Sequence, residues 1–593
     1  MKKFNPDSQE PIKTGILKNG KWIMASILPL LIIAILSCTS SQDQSKKSQE
    51  EQLVPIRAWQ LHKLNDREDL DYIQNVFQLA PRYNINTIVF SHGMVGAIHD
   101  LYEGGDDGNS PFKGDKHGKK LNKLAEDAEK KGIKTWIWIH ELEDIPDRFI
   151  KNNIVQLDDP KLYDFLQERY RKAFEDFPAF DGIMLTFHET KYKLFDDSEA
   201  VSEMSPSRRF AKITNTIYEV CEEFEKDMVV RTFVYTPEEL EWARKGFSMT
   251  DPEVMIQSKT VPQDWQAFFP HNPVIGAFPD RRQIVEFDCS NEYTGKNFIP
   301  YTSPEYFAFR WKYDLKQPGV AGYNIRLDHE GYDALFTPNA INIYTISRLT
   351  QDSTLTSEQI WQDWTVETYG EKAAPHIKEA LKHSFEIVNK AFFPLGFWFT
   401  KHSGLPEFEY PRMRLTGHTS NTVWWPETEP KYEKAPWWPD DVSKEAWASR
   451  QNTLMHPTPE DFERLLAEKD TAMILAEKAH YHLEKARTHI SESQYEQLFE
   501  MIERMQLVTH IRKMHAEAYF GCKVLEGEHE VPGLQDRVNR AIDGLFMLQK
   551  ITELNTPEVD DTTAYHQPPA VPWKTRAVAR ELRTKLNQLK SKE

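Results

Sequence analysis

The sequence predicts a (β/α)8 barrel followed by an α-helical C-terminal domain, and three observations carry that prediction. Eight short apolar strands alternate with amphipathic helical stretches between Val54 and Leu349. Chemically capable side chains fall at the same end of strand after strand, as they do at the rim of such a barrel. From Ser357 onward the pattern changes to long, charged segments of 3.6-residue period.

The strands are expected at Ile56–His62, Thr87–His92, Lys134–Glu141, Gly182–Glu189, Met228–Tyr235, Val254–Val261, Gln283–Cys289 and Val320–Asp328. Several are near-continuous apolar runs, the signature of parallel strands covered on both faces. Helical stretches such as Asp69–Tyr83, Lys119–Lys131, Pro160–Phe177, Ser205–Lys226 and Pro304–Lys316 are long enough to cross over between them. The strand ends bring His62, His92, His140 with Glu141, His188 with Glu189, Tyr235, and Asp328 with His329 towards one rim.

Residues 54–350 therefore form the predicted barrel and 351–593 the predicted helical domain. Within the latter, helices are expected at Ser357–Phe393, Thr458–His489, Glu492–Glu526, Pro532–Thr552 and Ala570–Lys592. A Trp- and Pro-rich insertion near 396–450 carries Trp398, Trp424, Trp425, Trp437 and Trp438. Two readings of it stand side by side: stacking platforms for sugars, or a tryptophan-filled contact between domains.

The N-terminus reads as an export signal. Five lysines precede Trp22–Leu36, an apolar run shorter than the ~20 residues that a spanning helix needs. Ile35-Leu36-Ser37-Cys38 resembles a bacterial lipobox, which implies cleavage after residue 37 and lipidation of Cys38. Residues 38–53 are polar and suit a flexible tether. The expected location is the bacterial cell envelope, with the membrane met through the lipid anchor, on the periplasmic side or the outer-membrane surface.

Composition excludes one class of partner. The 593 residues include 91 acidic and 73 basic side chains, a formal charge of −18 that repels phosphate backbones, so no nucleic-acid partner is expected. Cys221, Cys289 and Cys522 are too few and too far apart for a disulfide framework, and no basic neighbour activates Cys289. The histidines of the rim lack the tight spacing of a zinc site, so neither a metal nor any other cofactor is expected.

Three acids have the addresses that glycosidic bond hydrolysis needs, one to protonate the leaving oxygen and others to activate water or attack directly. Glu189 ends the fourth strand among aliphatic neighbours that would favour its protonated form. Asp264 follows the sixth strand and Glu292 the seventh. The runs around them, Leu185–Glu189, VRTFVY at Val230–Tyr235, QSKTVPQDWQ at Gln257–Gln266 and VEFDCSNEYTG at Val285–Gly295, resemble the α-glucuronidases of glycoside hydrolase family 67. The stretch Gly319–Gly370 is similar as well, so the resemblance spans most of the barrel and part of the helical domain.

That resemblance implies an inverting hydrolase that releases a uronic acid or related sugar from an oligosaccharide or polysaccharide. Glu189 would be the general acid, Asp264 and Glu292 would position the attacking water, and Arg231 would bind the uronate carboxylate. His62, His92, His140, Tyr235 and His329 complete the expected binding set. The resemblance also implies dimerisation through the helical domain. Two departures stand out: Leu185 occupies the place of the family's second uronate-binding cation, and the family's extra N-terminal domain is missing before the first strand. Two other readings remain at this stage: a retaining glycosidase with Glu292 as nucleophile, and a surface glycan-binding lipoprotein without turnover.

Overall fold

The computed structural model describes residues 54–61, 70–90, 116–143, 145–195, 200–329, 332–428, 432–527, 529–555 and 572–591. The export signal, Cys38, the tether, His62 and His92 lie outside these residues. Among the described residues no helix is long and apolar enough to cross a membrane.

Eight parallel strands close a barrel: β1 (Ile56–Leu61), β2 (Thr87–Phe90), β3 (Lys134–His140), β4 (Gly182–Thr186), β5 (Asp227–Arg231), β6 (Met255–Lys259), β7 (Gln283–Asp288) and β8 (Val320–Arg326). Each pairs with its sequence neighbour, and β1 pairs with β8 to complete the circle. A Cβ at Gly322 would collide with the Ile56 carbonyl across that closing pair, so the seam requires glycine there. The predicted strands start within one residue of the observed ones. From β3 to β8 they run on by one to four residues at their C-terminal ends, into the loops of the rim where the ladder ends.

The helices that wrap the barrel are α1 (Leu70–Leu79), α2 (Lys116–Glu129), α3 (Pro160–Asp176), α4 (Pro206–Glu223), α5 (Pro237–Phe247), α6 (Pro304–Asp314) and α7 (Ala340–Gln351). Proline at the first turn of α3, α4, α5 and α6 starts each helix where its missing N–H costs nothing. Strand side chains alternate between two cores. Trp59, Ile88, Ile137, Ile183, Val230, Ile256, Val285 and Ile325 face the helices. Ile56, Ala58, Val89, Trp136, Trp138, Met184, Val229, Met255 and Ile284 fill the barrel.

Above that apolar plug the barrel interior turns polar. Asn324 donates to Gln60 at 2.9 Å and to Gln257 at 3.1 Å, Gln257 donates to Glu286 at 2.9 Å, and Trp138 donates to Thr186 at 2.8 Å. A continuous hydrogen-bonded layer thus separates the packed floor from the rim.

No helix lies between β6 and β7 among the described residues; the connection runs as a buried loop. A buried loop must find donors for its carbonyls, and the Trp-rich insertion supplies them. Trp437 and Trp438 each donate to the Ala267 carbonyl at 2.9 Å, and Trp425 donates to that of Phe268 at 2.9 Å. Arg310 adds a bond to Phe269 at 2.7 Å. Of the two readings of the insertion, the packing one describes these tryptophans: Trp424, Trp425, Trp438 and Trp447 are buried, and they fill the place of the sixth barrel helix.

The predicted long helix Ser357–Phe393 is in fact three, α8 (Ser357–Tyr369), α9 (Ala374–Leu381) and α10 (Ser384–Phe392). Gly370, at φ 84°, ends the first, and Pro375 starts the second. Short helices α11 (Tyr410–Thr416), α12 (Asn421–Trp424) and α13 (Lys444–Met455) follow in the insertion. The long helices α14 (Pro459–Ala486), α15 (Glu492–Glu526), α16 (Leu534–Asn555) and α17 (Pro572–Lys590) then pack side by side. Capping boxes at Thr458 and Ser491 start α14 and α15. One hydrophobic core runs without interruption from the outer face of the barrel into this bundle.

Candidate active site

The rim is built from inward-facing residues at the strand tops and from the loops beyond them. After β4 the chain turns sharply, and Glu189 adopts φ 60°, a left-handed conformation uncommon for a side-chain-bearing residue. His140, at the end of β3, donates through Nδ1 to the Glu189 carbonyl at 3.1 Å, which holds that turn and fixes the ring tautomer. Water reaches the Glu189 side chain, yet the pocket walls surround it closely. This enclosure, together with the charges of Asp264 and Glu292 and against those of Lys259 and Arg231, pushes its pKa up to about 7. Among the described residues the Glu189 carboxyl has no hydrogen-bond or ion-pair partner.

Across from it the two other acids are each matched. Asp264 pairs with Lys259 at the top of β6 and accepts a bond from the Tyr293 hydroxyl at 3.1 Å. Glu292 accepts from Arg326, at the top of β8, at 3.1 Å, and from His402 Nδ1 at 3.2 Å. Asp288 aims the Glu292 loop by accepting the amides of Ser290 at 2.9 Å and Glu292 at 3.0 Å. Ser403 donates to the Glu292 carbonyl at 2.8 Å and receives the Gly295 amide at 2.9 Å. Tyr293 follows Glu292 directly and holds Asp264, so the two carboxylates share one locale.

Arg231, the residue expected to bind the uronate carboxylate, has its bonds inside the barrel. Its Nε and Nη2 form a fork on Glu286 at 2.9 and 2.8 Å, and Nη1 donates to Thr186 at 3.1 Å. Both partners are buried, and the guanidinium stacks on Trp138 at 4.8 Å. Burial works against the charge of Glu286, but Arg231, Lys259 and Arg326 outweigh it and keep its pKa below the usual value. The arginine edge that would grip a substrate carboxylate is therefore turned to an internal one.

Tyr235 is half-buried, with the His418 ring at 4.8 Å. His329 lies in a short hairpin, Asp328–His329 against Tyr332–Asp333, beyond β8. Glu141, at the top of β3, is fully buried in a structural cluster with Arg169 and Tyr170. His188 is buried and its pKa is pushed down to about 4, chiefly by burial, so the ring is neutral at neutral pH. Cys289 is buried with its thiol pKa pushed well up by burial and by Asp288, which removes the thiolate a nucleophile needs. Cys221 and Cys522 are likewise buried free thiols.

Several rim residues escaped the sequence reading. Lys259, Glu286 and Arg326 are charges at inward positions of otherwise apolar parallel strands, a signal that strand parity carries. His402, Arg414 and His418 arrive from the Trp-rich insertion, far along the chain, and no local pattern marks them.

Comparison with known proteins adds to this geometry. Residues 114–320 match the glycosyl hydrolase family 67 middle domain, a span that contains Glu189, Arg231, Asp264 and Glu292. Among solved structures, the chain resembles a family GH138 enzyme that targets the pectin rhamnogalacturonan II, with TM-score 0.58 and 12% identity over 91% of this chain and 68% of that one. A family GH115 4-O-methyl-α-glucuronidase with specificity for decorated arabinogalactans gives TM-score 0.47 and 12% identity over 88% of this chain and 61% of that one. An O-GlcNAc hydrolase of Thermobaculum terrenum gives 0.44 and 12% over 90% and 94%. No curated protein matches the chain. Residues 114–320 thus match a glycoside hydrolase domain in sequence, and the rhamnogalacturonan II enzyme shares the fold.

Proposed function

We propose that the chain is an inverting glycosidase that releases a uronic acid or a related sugar from oligosaccharides or polysaccharides. The observation that carries this reading is the unequal setting of three carboxyls near enough to act on one another electrostatically. Glu189, with a pKa near 7, holds a proton to give to the leaving oxygen. Asp264 and Glu292 are paired with Lys259 and Arg326, placed to orient water and take its proton. The tie from Glu292 through Tyr293 to Asp264 favours a shared water over direct attack by Glu292, because it brings a second carboxylate to the same locale. The family 67 match over 114–320 supports the same reading.

In this mechanism Glu189 protonates the glycosidic oxygen while Asp264 and Glu292 deprotonate a water on the opposite ring face, and the anomeric centre inverts in one displacement. Lys259 and Arg326 hold the two carboxylates in place, and the His140 bond holds the Glu189 turn. We further propose, from the lipobox at Ile35–Cys38, that the enzyme is a lipoprotein of the cell envelope acting on glycans there.

The test is proton NMR of the sugar first released from uronic-acid-capped oligosaccharides incubated with the chain. An anomer opposite to that of the substrate is the expected outcome. A retained anomer would transfer the nucleophile's role to Glu292, and an absence of release from any glycan offered would leave a binding protein.

A further inference from the structure

Three of the cations at the rim are already matched. Arg231 holds Glu286, Lys259 holds Asp264, and Arg326 holds Glu292. Pulling any of them towards a substrate carboxylate would strand an internal one in a poorly hydrated place, a poor exchange. Leu185 offers no charge at all.

Arg414, on α11 of the Trp-rich insertion, is different. It is 7% exposed and forms no ion pair among the described residues. Its Nε donates to the Tyr410 hydroxyl at 2.7 Å, and its guanidinium sits over the rings of Trp398 at 4.2 Å and Tyr410 at 5.1 Å. The Nη nitrogens make no hydrogen bond among the described residues, and neither is sealed off from solvent. Trp398 meets Tyr293 at 4.2 Å, and Tyr293 donates to Asp264. The charge of Arg414 is felt by Tyr293, His402 and His418, and the Tyr293 ring lies on those of Trp398 and His402. A buried guanidinium fixed by stacking and by its Nε, with both outer nitrogens unused, is a preorganised fork for a planar anion.

We propose that Arg414 is the specificity-determining residue that grips the carboxylate of a uronic acid bound between Glu189 and the Asp264–Glu292 pair. This rests on the glycosidase reading of the same pocket. It also fits the inward fork on the barrel wall: with the substrate charge met from the insertion, Arg231 is left to Glu286. The role falls to a residue outside the barrel, delivered by the segment that covers the helix-free sixth connection.

The experiment uses the full chain and three probes, glucuronic acid, glucuronamide and glucose, titrated calorimetrically at neutral pH. The unmutated protein is expected to bind the acid about 10-fold or more tighter than the amide, the scale of charge-assisted hydrogen bonds. Arg414→Gln is expected to erase that ratio without weakening glucose, and Arg414→Lys to keep part of it. Equal affinities of the unmutated protein for acid and amide, no measurable binding of the acid, or a ratio unchanged in Arg414→Gln would overturn the assignment. The first comparison needs no variant, so it stands even if a substitution unfolds the chain. Glu189→Gln separates the two readings: it is expected to keep the acid-to-amide ratio while turnover of uronic-acid-capped oligosaccharides ceases. If the ratio depends on Arg414 but the unmutated protein turns over no glycan, the hydrolase reading fails and the Arg414 assignment stands.

Discussion

Glu189 on the β4 wall and the Asp264–Glu292 pair on the β6–β7 wall are the same functional group in opposite settings. The first has no cation within bonding reach among the described residues, and its pKa rises to about 7. The others have Lys259 with Tyr293, and Arg326 with His402. What separates acid from base here is not residue type but the partner each loop is built to meet. A pocket enclosed on one side and lined with cations on the other sorts protons by itself.

The comparison breaks most severely if its acid side is removed. Glu189→Gln is expected to lower kcat on natural oligosaccharides about 10²–10⁴-fold with KM little changed, and less on substrates whose leaving group needs no proton. Steady-state kinetics on both substrate types checks this. On the base side, Asp264→Asn and Glu292→Gln are expected to cost comparable factors, because both hold one water. If Asp264→Asn were mild and Glu292→Gln severe, Glu292 would be the nucleophile of a retaining enzyme.

A buried pair below the rim gives the next effect. Arg231→Met leaves Glu286 charged and unmatched, and is expected to destabilise the fold by about 3–5 kcal/mol in urea denaturation. Its effect on the preference for acidic over neutral sugars is expected to be small, since its fork faces inward.

Stability should also report the Glu189 setting. A carboxyl whose pKa rises from its usual value near 4.5 to about 7 on folding binds more protons folded than unfolded between those pH values. Stability is then present at low pH and lost as pH rises through that window. Glu189→Gln is expected to remove this loss, so its Tm advantage over the parent grows from pH 5 to pH 8. The smallest effect is expected at the insertion. Trp437→Phe deletes one indole bond to the Ala267 carbonyl, costs about 0.5–1.5 kcal/mol and leaves kcat unchanged.

The barrel was legible because parallel strands buried on both faces write themselves as short apolar runs, and all eight were found at their N-terminal ends. Their C-terminal ends were overdrawn because Phe187 continues the apolar pattern of β4 after the ladder has stopped at Thr186. The three acids were legible as strand-end residues within runs of known resemblance. The setting of Arg231 was not legible because its partner, Glu286, lies two strands away on β7, and pairing across a barrel leaves no trace in local sequence. The same holds for His402, Arg414 and His418, whose approach depends on where the insertion folds back. The missing sixth helix left a sign that was open to two interpretations, a cluster of tryptophans whose indole N–H groups serve buried carbonyls.

The central claim, that Glu189 is the protonated member of the trio, is tested most directly by the pH dependence of kcat/KM for the parent and for Glu189→Gln on the same oligosaccharide, whose leaving oxygen needs a proton. The account predicts a parent profile that falls as pH rises through about 7 and a variant profile from which that limb has vanished. A limb of unchanged position in Glu189→Gln would contradict it and assign the proton to another group.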